Sequence, residues 1–418
     1  MRIPAALLIV AVTLPAGLNG QPETPPLKAL YDAHRWFELR DVLIRTSAPL
    51  FYQAAVEAAF NQQPKAENDL NAIISSKADA GITHEAREIL IASFYRAGRY
   101  KEAFDQAKAI LSKKPDAEDI RNILSTLKVL SSFQDQTVDS VDSSPAPATI
   151  PVEIQDQNLV LPLTVNGIQA HYIFDNGFSL SAISESEAKR LGLKIHNVKT
   201  SIDTMTGAQV NVRIAVAKDI ELAGVPLRNV AFYVLPRNEP PLNHLAEGRQ
   251  GILGLPVILA LRHFQWNPSD RTFTVLRASA EPRGDASKQT PNLAFESTSI
   301  FTAVGFQGKD FEFSLDTGAQ KTELYPGYSR HFPAIQASGT PESRKLTGVG
   351  GSARIDSIRV PSLAFTVGGR EVQLKPAHIL LRDNNANSNW FAGNLGMDLL
   401  NQAHSVEVDF DAMTLLLR

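Results

Sequence analysis

Two stretches of this chain carry the same landmarks in the same order, and this internal repeat constrains the fold more than any other feature. Each stretch has an Asp-x-Gly triplet, with one glycine eight residues before the Asp and a second glycine 32 residues after it. An apolar residue followed by glycine comes next, with that glycine 79 or 80 residues after the Asp. An Asn or Asp follows this last glycine by 13 residues. Because glycines at matched positions mark turns or close backbone approaches, the register predicts two copies of one unit. The matched pairs are Gly167 and Gly308, Asp175 and Asp316, Gly207 and Gly348, Gly254 and Gly396, and Asn267 and Asp409.

Both copies are built from short runs typical of strands, separated by Gly, Pro, Asn and Asp. They predict two β-rich halves, which we call the first half (150–276) and the second half (291–418). The segment 277–290 between them predicts an interlobe linker. A second linker is predicted at 136–149, where Ser, Asp, Pro and Ala dominate and no apolar period is present.

Residues 27–135 show a helical period instead of a strand pattern. In the clearest unit, 84–115, an apolar helical pattern stops at Gly98 and a second pattern carries Ala103 and Ala107. This unit resembles a tetratricopeptide repeat, in which small residues let paired helices approach closely. A generic helical hairpin domain is the alternative. We therefore expect an all-α, repeat-like domain that could offer a surface to a protein partner.

The first 20 residues have the pattern of a cleavable export signal. A positive start at Arg2 precedes an apolar run at 5–14, Pro15 breaks the run, and Gly20 is a small residue where a peptidase could cut. The run is too short to span a bilayer comfortably. An uncleaved anchor and a disordered tail are the alternatives. We expect a soluble protein that is periplasmic or secreted and has no membrane attachment after cleavage of residues 1–20.

Composition excludes several classes of function. The 41 Lys and Arg residues nearly balance the 44 Asp and Glu residues, which argues against nucleic acid as the partner. The absence of Cys excludes disulfides, thiolate metal sites and Cys nucleophiles. Motifs of serine hydrolases, zinc proteases and P-loop enzymes are missing, and the nine His residues have no ligand spacing. We therefore expect no metal and no organic cofactor.

The Asp-x-Gly and apolar-Gly motifs together resemble those of aspartic proteases of the pepsin and retropepsin type. The sequence Asp316-Thr317-Gly318-Ala319 carries the motif of that family, and the runs 252–254 and 394–396 resemble the strand beneath its catalytic loop. The resemblance covers residues 150 to 418. It implies an all-β, double-lobed acid-protease fold with pseudo-twofold symmetry, formed by a single polypeptide that cleaves a peptide or protein substrate.

The resemblance also implies Asp175 and Asp316 as a catalytic dyad. Two carboxyl groups a few ångströms apart cannot both ionise cheaply, so they share one proton. The ionised member can take a proton from water while the protonated member hydrogen-bonds the scissile carbonyl. The N–H groups of Gly177 and Gly318 are expected to bind the inner carboxylate oxygens and keep the two groups coplanar.

Flaps that close over the substrate are implied in both halves. The candidates lie within 204–208 and 347–351. The residues expected to form the flaps and bind substrate are Thr206, Gly207, Gly348, Val349 and Gly350.

The first half departs from the motif of the family. Asn176 stands where the family has Thr or Ser, whose hydroxyl grips the opposite loop as Thr317 can, and Phe178 stands where Ala or Ser is usual. Asn176 could provide a substitute grip because it carries both a donor and an acceptor. Ser179 is placed where its hydroxyl could support the outer oxygen of Asp175. Three functions stay open: an active endopeptidase with an altered first loop, a degenerate protease fold that binds peptides, and a scaffold acting through the helices.

Overall fold

The computed structural model describes residues 26–76, 79–133, 147–204, 206–276, 290–382 and 391–418. Helices form its N-terminal part and a large β-rich region follows, which confirms the expected order of a helical part and a β-rich part. The predicted export signal and most of the two predicted linkers lie outside the described residues.

The helical region has its best-defined unit where the sequence predicted one. Asp79 caps a long helix by accepting a hydrogen bond from the N–H of Gly81, and Gly98 takes a positive φ of 72° in the turn that follows. Ala103 and Ala107 of the next helix are fully buried, so its backbone packs close to its neighbours. The helices are α1 (Leu27–Asp32), α2 (Trp36–Leu43), α3 (Leu50–Ala59), α4 (Gln63–Ser75), α5 (Ala80–Arg96), α6 (Tyr100–Lys113) and α7 (Glu118–Leu130). Within the described residues none of the helices is both long and apolar enough to cross a membrane.

The first half contains the strands β1 (Ala148–Pro151), β2 (Glu153–Gln155), β3 (Asn158–Val165), β4 (Ile168–Phe174), β5 (Ser181–Ser184), β6 (Ile195–Asp203), β7 (Gln209–Leu222), β8 (Val225–Leu235), β9 (Gly251–Leu253), β10 (His263–Asn267) and β11 (Thr272–Val275). Eight of them form one sheet in the order β2-β3-β4-β9-β5-β8-β7-β6. Short helices α8 (Glu185–Arg190) and α9 (Leu255–Ala260) and a 3-10 turn (Leu242–His244) connect them. Strand β1 begins two residues inside the predicted linker because Ala148 and Thr149 pair with β11.

The second half contains the strands β12 (Leu293–Glu296), β13 (Ser299–Phe306), β14 (Lys309–Leu315), β15 (Glu323–Leu324), β16 (Thr340–Gly348), β17 (Gly351–Val360), β18 (Leu363–Val367), β19 (Arg370–Leu374), β20 (Ala377–Leu380), β21 (Gly393–Leu395), β22 (Val406–Asp409) and β23 (Thr414–Leu417). Ten of them form one sheet in the order β16-β17-β20-β15-β21-β14-β13-β18-β19, with β12 paired to β13. Its helices are α10 (Pro326–His331), α11 (Pro333–Ser338) and α12 (Met397–Leu400).

The two halves are joined by a five-stranded sheet in the order β1-β11-β10-β22-β23. Strand β10 of the first half pairs with β22 of the second, so that His263 lies opposite Asp409 and Trp266 opposite Val406. Backbone hydrogen bonds therefore fix the halves relative to each other, which a linker alone could not do.

The hydrogen bonds around the two Asp-x-Gly loops recur in both halves. Strand β4 runs parallel to β9, and β14 runs parallel to β21, so each loop leaves a strand supported by the apolar-Gly run. The N–H of Gly254 donates to Ser181 Oγ at 3.0 Å, and the N–H of Gly396 donates to Thr322 Oγ1 at 2.9 Å. The sequence repeat is thus also a repeat of local structure.

The helices dock against both halves. His34 Nδ1 and Trp36 Nε1 lie 2.8 and 2.7 Å from one carboxylate oxygen of Glu296 in β12, and the guanidinium of Arg96 lies 4.3 Å from the ring centre of Phe295. These partly buried contacts bind the helices to the second half through a charged carboxylate and a cation–π interaction.

The contact with the first half reaches the strand that leads to its flap hairpin. The Ser125 hydroxyl in α7 donates to the carbonyl of Lys199 in β6 at 3.0 Å and accepts from the N–H of Lys199 at 3.1 Å. Farther along, the hydroxyls of Tyr95 in α5 and Tyr233 in β8 lie 2.9 Å apart, and both side chains are buried. The helices therefore pack directly against the β-rich region, and their position does not depend on the linker alone.

Candidate active site

Each candidate carboxylate stands at the end of an internal strand. Asp175 follows β4 and Asp316 follows β14. The N–H of Asp175 donates to the carbonyl of Leu253, and the N–H of Asp316 donates to that of Leu395, each at 3.0 Å. The strand beneath each loop therefore sets the height and direction of its carboxylate.

The two carboxyl groups meet across the loops. A Cβ built on Gly318 would stand 2.1 Å from Cγ and Oδ2 of Asp175, and one built on Gly177 would stand 2.9 Å from Oδ1 of Asp316. Each carboxyl group thus lies against the glycine of the opposite loop, at a distance that excludes any side chain. The structure brings together all four residues that the sequence placed at the centre of the site.

Backbone donors hold the inner oxygens as the sequence predicted. The N–H of Gly177 lies 2.8 Å from Oδ1 of Asp175. Oδ1 of Asp316 accepts from the N–H groups of Gly318 and Ala319 at 2.9 and 3.0 Å. These bonds fix the plane of each carboxyl group before any ligand arrives.

Burial raises the pKa of Asp175 well above its usual range, and the negative charge of Asp316 and a hydrogen bond with its carboxyl group raise it further. The N–H of Gly177 opposes this shift because it stabilises the ionised form. Only 9% of Asp175 is exposed, whereas Asp316 is more accessible. The two carboxyl groups therefore lie in unequal surroundings, and the raised pKa of Asp175 favours a pair that holds one proton.

Asn176 and Thr317 lock the two loops together. The N–H of Asn176 donates to Thr317 Oγ1 at 3.0 Å, and that hydroxyl donates back to Asn176 Oδ1 at 3.0 Å. The N–H of Thr317 donates to the same oxygen at 2.7 Å, and Asn176 Nδ2 reaches the carbonyl of Leu315 at 2.8 Å. The Asn side chain therefore makes a cross-loop grip with its amide, in the place where the family uses a hydroxyl.

Phe178 and Ser179 both turn toward the interior. The Phe178 ring is half-buried and packs against the apolar cluster that the first half shares with the helices. Burial raises the pKa values of Tyr95 and Tyr233, and the nearby Ser179 hydroxyl lowers both. The support of the outer oxygen of Asp175 by Ser179 stays a prediction.

Two asparagines at the site were missed by the sequence reasoning. Asn394 Nδ2 donates to the outer oxygen of Asp316 at 3.0 Å, and Asn158 Nδ2 reaches from the first half to the carbonyl of Gly318 at 2.8 Å. The signal for Asn394 was present, because a polar residue interrupts the apolar-Gly run where the first half has Ile252. Asn158 carried no comparable signal.

The predicted flap residues lie at the tips of two hairpins. We define the first flap as β6, β7 and their connection, and the second flap as β16, β17 and theirs. Gly207 lies in the first tip with a φ of 78°, and Gly350 lies in the second with a φ of 88°. A Cβ on Gly350 would stand 2.5 Å from Thr204 Oγ1 and 2.8 Å from Thr206 Oγ1. The two tips are therefore in contact.

The tip of the second flap also contacts the first half at residues outside the first flap. The N–H of Gly350 donates to Glu239 Oε1 at 2.6 Å. The side chain of Val349 is buried in the apolar cluster of the first half and the helices. Gly348 closes the strand pairing of this flap opposite Gly351.

The described residues hold no group of three or more His, Cys, Asp or Glu side chains arranged to bind a metal ion. The polar groups at the loops include the two carboxylates, the Thr317 hydroxyl, the amides of Asn176 and Asn394, and backbone N–H groups. This set can hold a water molecule and move its protons.

A match to one protein-family model supports a protease fold. Residues 161–257 match the model of a protein family described as aspartyl protease, a stretch that contains the Asp175 loop and the first flap. Among solved structures, a retropepsin-like aspartic protease from Rickettsia conorii matches at 17% sequence identity and a TM-score of 0.24, covering 31% of this chain and 93% of that one. No curated protein matches the chain. The family match indicates a protease function in general terms.

Proposed function

We propose that this protein is an exported aspartic endopeptidase, periplasmic or secreted, that hydrolyses peptide or protein substrates without a cofactor. In this proposal the two halves are lobes related by a pseudo-twofold axis, as in pepsin-like enzymes built from one chain. The recurrence of the same hydrogen bonds around both Asp-x-Gly loops supports that arrangement.

The observation that carries the proposal is the meeting of the two carboxyl groups, each against the glycine of the opposite loop. The pair would hold one proton, which we place on Asp175 because it is the more buried, whereas Asp316 accepts from the N–H groups of Gly318 and Ala319 and from Asn394. Asp316 accepts a proton from a water molecule while the water oxygen bonds to the scissile carbonyl carbon. Asp175 donates its proton to the carbonyl oxygen, so that a neutral gem-diol forms.

Breakdown of the gem-diol returns both protons. The amide nitrogen receives the proton held by Asp316, the C–N bond breaks, and one hydroxyl of the diol gives its proton back to Asp175. The roles of the carboxyl groups depend on coplanarity, which the grip between Asn176 and Thr317 maintains. The flaps would exclude water and pair with the extended peptide main chain.

The test is cleavage of a mixed peptide library by the mature chain from acid to neutral pH, followed by mass spectrometry of the products. We expect Asp316→Asn to abolish cleavage. Asp310→Asn is the matched control, because Asp310 is exposed on the same strand, six residues earlier. Cleavage that survives Asp316→Asn would contradict the proposal. Peptide retention without turnover, unchanged in Asp175→Asn, would favour a degenerate protease fold that binds peptides.

The helical region is proposed to be a tetratricopeptide-like domain that supports the protease region and could also receive a protein partner. The close packing at Ala103 and Ala107 supports the likeness. Removal of residues 21–140 tests its role. If the truncated chain keeps both its fold and its cellular function, the helices are not where the protein acts.

A further inference from the structure

We propose that Glu239 is a latch that holds the second flap closed, and that peptide binding requires its carboxylate to release the flap tip. The inference rests on the proposed protease function, since it concerns how substrate reaches the same site. It makes Glu239 a positioning residue, because it acts on the flap and not on the reacting atoms.

The latch joins the two halves across the flaps. Glu239 belongs to the first half, in the connection that follows β8, whereas Gly350 is at the tip of the second flap. The 2.6 Å hydrogen bond from the N–H of Gly350 to a carboxylate oxygen is charge-assisted, which makes it stronger than one between neutral groups. Glu239 remains partly exposed, so water can replace the bond when the tip lifts.

The base of the latch is firmly placed. The N–H of Glu239 donates to the carbonyl of Pro236, and its own carbonyl accepts from the N–H of Asn243. Leu242, three residues after Glu239, is fully buried in the core. The carboxylate is therefore presented from a rigid turn at a fixed position.

The rest of the second flap gives little support to the closed position. Strand β16 lies at the edge of its sheet and has no buried residue, and the buried residues of β17 lie away from the tip, within 355–360. The contacts that hold the tip are made instead at its end, by Val349 in the apolar cluster, by Gly350 against Thr204 and Thr206, and by Glu239. Under the proposed function an extended peptide lies beneath the flaps, so these contacts have to open before it reaches the carboxylates.

Substitutions separate the latch from the other tip contacts. Glu239→Gln keeps the size of the side chain and an acceptor oxygen but removes the charge, and Glu239→Ala removes the acceptor. Gly350→Ala puts a methyl group against Thr204 and Thr206 and so opens the tip by another route. Glu247→Gln is the matched control, since Glu247 is an exposed residue of the same connection.

The first measurement is hydrogen exchange of the amides at 347–352 in the full mature chain without substrate. We expect exchange to rise about tenfold in Glu239→Ala, less in Glu239→Gln, and not at all in Glu247→Gln. Unchanged exchange in Glu239→Ala would overturn the latch. This readout needs no catalytic activity, so it decides the latch even if the protein cleaves no peptide.

The second measurement is steady-state cleavage of a peptide found with the library. Because a latched flap lowers the fraction of protein able to bind, its release should lower KM several-fold in Glu239→Ala and leave kcat nearly unchanged. A KM that stays at the wild-type value, or a rise in KM, would overturn the requirement for release. A fall in kcat with KM constant would also overturn it, since that result indicates a role in the chemical step.

Discussion

The grip between the two Asp-x-Gly loops yields the sharpest test of how this site is held. Thr317→Val replaces the hydroxyl by a methyl group of nearly the same size, so it removes hydrogen bonds without opening a cavity. The hydroxyl accepts from the N–H of Asn176 and donates to its side-chain oxygen, each at 3.0 Å, and both residues are buried.

The expected loss follows from which groups keep a partner. Asn176 Oδ1 still accepts from the N–H of Thr317, so the lost hydroxyl bond costs about 1 kcal/mol. The buried N–H of Asn176 has no substitute acceptor in the grip, and leaving such a donor unpaired costs about 1–3 kcal/mol. The free energy of unfolding should therefore fall by about 2–4 kcal/mol in total.

The assay is urea unfolding followed by circular dichroism, with peptide cleavage measured in parallel. Thr317→Ser is the control, because it keeps the hydroxyl and should lose clearly less stability. We expect Thr317→Val to lower kcat as well, because the hydroxyl no longer holds together the two loops that orient the carboxyl groups. A free energy of unfolding within about 0.5 kcal/mol of the wild-type value would refute the reasoning, because that is the range of substitutions that break nothing specific.

Two further predictions concern the docking of the helices. Burial raises the pKa of Glu312 to about 8, against opposing hydrogen bonds from backbone N–H groups at the start of α2. Folding then takes up a proton, so stability should fall as pH rises from about 4.5 to 8. In Glu312→Gln, the difference in Tm between pH 5 and pH 8 should shrink, and an undiminished difference would show that other groups cause it. Tyr95→Phe removes one partner of Tyr233 and should cost about 1 kcal/mol in urea unfolding; Tyr100→Phe, a ring 5.6 Å from that of Tyr95, is the control, and equal losses would contradict the assignment.

The local pattern of the chain was sufficient to predict the classes of element and the central residues of the site. The helical period of 84–115 predicted the pair α5 and α6, because residues three and four apart share one helix face whatever the rest of the fold does. The repeat of Asp-x-Gly triplets and spaced glycines predicted two matched loops, and the resemblance to aspartic proteases implied that their carboxylates form a pair. The helix pair and the matched loops could be predicted because they depend on steric effects between residues that are close together in the chain.

Tertiary structure alone decided which distant groups complete the site. Asn158 Nδ2 of the first half donates to the carbonyl of Gly318 in the second, although the two residues are 160 positions apart in the chain. The hydrogen bond from Gly350 to Glu239 likewise depends on how the connection after β8 meets a hairpin of the other half. The sequence pattern of one helix or strand indicates which of its own faces is buried. It does not indicate which face of another element will pack against it. Contacts between residues far apart in the chain therefore become visible only once the elements are packed.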